Sequence, residues 1–148
     1  MKPIRTYILI ADGARARLLV SEGPGKPLAE VPGSEQSQDI RPDHELSADR
    51  PGRVHESATV VRHAIERDDL HRREKERFAL SLAASLEKRL AAGEYGHLVI
   101  AAAPETLGVI RAALSEKVRA TVIAEVPKDL TKLPNPQVRD RLGDGLLI

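Results

Sequence analysis

Short apolar runs alternate along this chain with polar, turn-rich stretches, and their periods predict a mixed sheet with helices packed on it. Arg5 to Ala11 and Ala14 to Ser21 are two strand-like runs separated by Asp12-Gly13, a pair that favours a hairpin. The positive φ angles of a type I′ turn are expected there. Gly23-Pro24-Gly25 marks a second turn, and Leu28 to Val31 predicts a short third strand that Pro32-Gly33 ends. Residues 32 to about 68 show no sustained period and are rich in Pro, Gly, Ser, Asp, Arg and His, which predicts a long loop. From Asp69 to Ala92 the period becomes helical, with Phe78, Ala79, Leu82, Ala83, Leu86 and Leu90 on one stripe. Asp69 suits its N-cap and Gly93 its stop.

Residues 97 to 126 read as one strand-helix-strand unit. Leu98 to Ala103 is an unbroken apolar run, as expected of a strand covered on both faces. Pro104, with its fixed φ and missing N–H, suits the first turn of a helix that Leu107, Ile110 and Leu114 continue. Val118 to Val126 returns as a β-branched strand, and a crossover of this length between parallel strands is expected to be right-handed. Residues 127 to 134 form a connector; Asn135-Pro136 then reads as an N-cap and first turn of a short helix that Gly143 closes. The apolar tail Leu146-Leu147-Ile148 is expected to tuck against the body or a neighbouring subunit. The predicted fold is thus a single α/β domain over residues 1 to 148. Its mixed sheet has about five strands, packed by a long helix and a second helix.

Composition narrows the function. A chain of 148 residues buries roughly two-thirds of its unfolded surface, so no covalent staples are needed. With no cysteine there are no disulfides, thiolate metal sites or thiol nucleophiles. The apolar residues before Asp12 are too few for a signal-peptide core, and no run approaches membrane-spanning length. A cytoplasmic protein without membrane contact is expected. Twenty-three basic against 22 acidic side chains leave no global field to draw in a polyanion. Tyr7, Phe78 and Tyr95 are too few for a base-stacking platform.

Local chemistry remains. Arg41, Arg50, Arg53, Arg62, Arg67, Arg72 and Arg73 lie in or just after the long loop, where each can supply charge to a phosphate, with His63 and His71 among them. His44, His55, His63 and His71 are too irregularly spaced for a zinc motif, so neither a metal nor another cofactor is expected. Asp12 reads first as turn chemistry. The competing reading is a metal-dependent hydrolase or nuclease in which Asp12 and Asp129 hold Mg²⁺. There is no nucleophile elbow, Gly-rich phosphate loop or dinucleotide fingerprint.

A resemblance sharpens these expectations. The ordered set of residues 11 to 18 (Ala-Asp-Gly-Ala-Arg-Ala-Arg-Leu), Arg62-His63-Ala64, His71 with Glu74 and Phe78, Ala103-Pro104 with Leu107-Gly108, and residues 129 to 134 (Asp-Leu-Thr-Lys-Leu-Pro) covers nearly the whole chain. It resembles the bacterial host attachment protein family. That resemblance implies a domain similar to the central domain of class I release factors and of Pelota. In release factors the aligned loop carries Gly-Gly-Gln, whose glutamine approaches the peptidyl ester. Here no two glycines are adjacent, and Gln36, Gln38 and Gln137 sit in other contexts. The resemblance therefore implies binding without catalysis and supplies no catalytic residue. Its expected partner is a ribosome, RNA or a protein, with homo-oligomerisation through the loop or tail as a further expectation.

Overall fold

Tyr7, Ile8, Leu9, Ile10 and Ala11 are all buried, because the strand they form lies in the middle of a sheet covered on both faces. The computed structural model describes residues 4–38, 57–143, 146 and 148. In chain order the strands are β1 (Thr6–Ala11), β2 (Arg15–Ser21), β3 (Ala29–Glu30), β4 (Gln36–Ser37), β5 (His97–Ala101) and β6 (Val122–Val126). The helices are α1 (Ser57–Ala91), α2 (Pro104–Ala113), α3 (Glu116–Arg119) and α4 (Asn135–Leu142). The sheet runs β3-β2-β1-β5-β6, with β4 also pairing β2. Strand β1 pairs antiparallel with β2 and parallel with β5, and β5 continues parallel to β6.

Alternate residues of the central strands feed two cores. Tyr7, Leu9, Leu98 and Ile100 meet Phe78, Leu82 and Leu86 of α1 and Leu107 and Ile110 of α2. Ile8, Ile10 and Val99 face the other way, toward Leu130, Val138 and Leu142 of the C-terminal segment. Ile148 belongs to this second core, so the end of the tail tucks against the body. Each fully buried Leu or Ile contributes roughly 1.5–3 kcal/mol of transfer free energy.

The expected mixed sheet of about five strands is present, with the short β4 as a sixth beside the main path. Several finer expectations are corrected. Helix α1 begins at Ser57, not Asp69, and takes in the last part of the predicted loop. Asp69 is therefore mid-helix, where it accepts a hydrogen bond from Arg72 at 2.8 Å. The Asp12-Gly13 turn is not type I′: among the described residues no non-glycine has positive φ, and Gly13 is not among the positive-φ glycines. Asp12 Oδ1 instead accepts from the N–H groups of Ala14 (2.8 Å) and Arg15 (2.7 Å), so the side chain shapes the loop. The stretch read as a strand from Val118 starts as helix α3, whose N-cap Ser115 accepts from Val118 N. The strand proper begins at Val122. Asn135 lies inside α4 rather than capping it. Gly93, with φ 75°, ends the long helix as expected, and its N–H reaches Leu90 O at 2.9 Å.

Candidate functional site at the carboxyl ends of the parallel strands

In open α/β sheets, loops leaving the carboxyl ends of parallel strands converge, and ligand chemistry tends to collect there. Here β1 delivers Asp12, β5 leads into Pro104 at the start of α2, and β6 leads through Pro127 to Asp129. Asp12 and Asp129, 117 positions apart by number, meet at one hydroxyl: Thr131 Oγ1 donates to Asp129 Oδ1 at 2.6 Å and lies 3.5 Å from Asp12 Oδ2.

The loop that carries Asp129 and Thr131 is fixed from β2. Arg17 donates to Thr131 O at 2.9 Å, to Leu133 O at 2.6 Å and to Asn135 Oδ1 at 2.9 Å. A planar guanidinium can serve three acceptors at once, and it thereby ties the connector to the central hairpin. Partial burial pushes the Asp129 carboxyl up. The hydroxyl and N–H of Thr131, with the fields of Lys132 and Arg15, outweigh this and hold it below the usual carboxylate value.

Chemically, both carboxylates are engaged in shaping loops. Asp12 Oδ1 serves the hairpin, its Oδ2 lies 3.6 Å from Arg15 Nη2, and Asp129 Oδ1 serves Thr131. Among the described residues no group of three His, Asp or Glu side chains is arranged to hold a metal ion.

Helix α1 passes beside this end of the sheet and continues beyond it. Lys75 packs over Gly13, where an added Cβ would lie 3.4 Å from Lys75 Cγ, and Gln38 Nε2 donates to Glu74 O at 2.8 Å. N-terminal to these contacts, beyond the polar Arg67 and His71, the side that buries Phe78 and Leu82 becomes apolar again at Val60, Val61, Ala64 and Ile65. There Val60 is 50 %, Val61 56 % and Ile65 57 % exposed.

The binding residues expected from sequence separate on this helix. Arg62 and Arg73 are exposed on one line about three turns apart, and neither makes an ion pair among the described residues. Arg72 is engaged by Asp69 at 2.8 Å and Glu76 at 4.0 Å. His63 Nδ1 is 3.9 Å from Glu66 Oε2. Arg67 and His71 are half-buried on the inward side, and Arg67 Nε has no hydrogen-bond partner among the described residues. Those among the described residues therefore point to different sides of the helix. Arg41, Arg50 and Arg53 lie outside the described residues. Sequence reading missed the Arg17 clamp, the Thr131 bridge and the exposed apolar turns; only the last left a signal, in the helical spacing of Val60, Val61, Ala64 and Ile65.

No helix among the described residues is long and apolar enough to cross a membrane. No curated protein matches the sequence. One family profile, described as "Protein required for attachment to host cells", matches residues 7–142. That span runs from the first central strand to the last residue of α4 and takes in the Asp12 hairpin, the long helix and the Thr131 loop. The chain belongs to this family of proteins required for attachment to host cells.

Proposed function

We propose that this protein is a non-catalytic binding module whose contact surface is the N-terminal turns of α1. The observation that carries this reading is the return of apolar residues, Val60, Val61 and Ile65, to the helix's core-facing side past the point where the sheet ends, all of them exposed. Burying side chains half exposed or more removes apolar area from water, so a partner gains about 25 cal/mol for each Å² it covers. The ribosome is the first partner to test. The resemblance to the release-factor central domain supports it, and Arg62 and Arg73 present two cations to phosphate. A protein partner is the second reading, favoured by the apolar residues and by Glu66, Asp68 and Asp69 beside the arginines. The family description names attachment to host cells, an outcome that binding can serve.

The experiment is co-sedimentation with purified ribosomes at low and high salt. Wild type, the R62E/R73E double variant and the V61D/I65D double variant are compared. A ribosomal contact predicts salt-sensitive binding that R62E/R73E weakens most. A protein contact predicts no ribosome binding but recovery of a partner from native extract that V61D/I65D abolishes. Capture that neither double variant disturbs excludes the overhang as the contact surface.

A further inference from the structure

A second surface lies on the opposite part of the same helix. Between α1 and α2 runs an open groove of about 460 Å³, floored by Leu80, Gly108, Val109 and Ala112 and edged by Glu76 and Glu105. Leu80 is 59 % exposed, although Ala79 and Leu82 beside it are buried. A Cβ added at Gly108 would meet nothing within 4 Å, so the floor there is open to close approach.

We infer that this groove takes an amphipathic helix with a basic flank from a protein partner. The groove walls are two helices whose backbone groups are already paired, so an extended segment would find few backbone partners, whereas a helix brings its own hydrogen bonds. Among the described residues the only charged ones lining the groove are Glu76, 4.0 Å from Arg72 outside it, and Glu105, which makes no ion pair. Lysine or arginine flanking the incoming apolar stripe would complement them. The same charges argue against a second copy, because a two-fold contact centred here brings the two acids of one copy close to the two of the other. They also argue against anionic lipid or nucleic acid. This inference does not depend on the overhang reading, since the two surfaces occupy different turns of α1.

The probe is a synthetic leucine-lysine peptide of about 18 residues, with leucines at helical i, i+3, i+4, i+7 spacing, titrated against the full chain by fluorescence anisotropy. Saturable binding is expected, weakened about tenfold or more by E76K/E105K and by Leu80→Asp, and unchanged by V61D/I65D. A peptide with glutamate for lysine should not bind. Leu80 and both acids have exposed side chains, so the variants should melt with wild type in circular dichroism. Absence of binding, equal binding of the acidic peptide, or binding indifferent to E76K/E105K and Leu80→Asp overturns the proposal. A concentration-dependent dimer in sedimentation velocity that Leu80→Asp dissolves also overturns it, by making the occupant a second copy.

Discussion

The two halves of α1 both carry apolar residues on the core-facing side, separated there by Arg67, His71 and Lys75, yet they live in different surroundings. From Glu74 onward the stripe is Phe78, Ala79, Leu82 and Leu86, all essentially buried against β1, β5 and α2. Before Glu74 it is Val60, Val61 and Ile65, all half exposed or more. The difference follows where the sheet stops, at the Asp12-Gly13 turn, and the inward side turns polar there, with Arg67, His71 and Lys75. The first half is supported locally, by side-chain pairs such as Arg72 with Asp69 and Glu76, each worth only a few tenths of a kcal/mol. Apolar periodicity thus marks what a helix can bury, while the extent of the sheet decides what it does bury.

The largest effect expected from breaking this contrast is in the buried half. Leu86→Ala should cost about 3 kcal/mol in urea unfolding, since Leu86 is 1 % exposed and the cavity has little room to collapse. Ile65→Ala removes a similar side chain from the same helix and should cost no more than about 0.5 kcal/mol. A cost for Ile65→Ala comparable to that of Leu86→Ala would mean that the overhang is covered in the free protein.

Arg17→Ala comes next. It removes the donors of three hydrogen bonds that hold the Thr131 loop, and should cost about 2 kcal/mol with faster amide exchange confined to residues 129 to 135. Unfolding that leaves local exchange there unchanged would show that the clamp adds only to global stability.

A smaller effect is expected from pH. At the other end of the sheet, Tyr7 stacks on Tyr95 with ring centroids 5.0 Å apart and donates to Glu94 at 2.9 Å. Arg89 reaches the same carboxylate oxygen at 2.8 Å. Burial pushes Glu94 up, but the hydrogen bonds from Tyr7 and Arg89, with the charges of Arg89 and Arg5, win and hold it below 4.5. Burial, with the charges of Tyr7, Glu87 and Glu94, pushes the Tyr95 hydroxyl up to about 12. A carboxyl depressed in the fold contributes its stability above its unfolded value, and loses it as pH falls through the folded one. Stability should therefore decline below pH 4.5, and Glu94→Gln should flatten part of that decline in urea midpoints taken across the acid range.

Much of the fold was legible because local rules and tertiary context agreed. The unbroken run from Leu98 and the helix opening at Pro104 declared the parallel unit, and Gly93 declared the helix end. The start of α1 was lost because Val60, Val61, Ala64 and Ile65 are interleaved with Arg62, His63, Glu66 and Arg67, which hides a helical period inside a polar stretch. Asp12 and Asp129 stood out as carboxylates in loops. Their meeting at Thr131 could not be read, because it depends on Arg17 drawing in a loop more than 100 positions away. The hairpin was legible in place but not in type, since the Asp12 side chain supplies by hydrogen bonding what a positive φ would otherwise supply.

The central claim is that the first turns of α1 lack a covering in the free protein and gain one on binding. Hydrogen exchange along the helix measures this directly. Amides of residues 60 to 72 should exchange far faster than those of residues 78 to 90, because only the latter need global opening. Uniform protection along the whole helix would contradict the account.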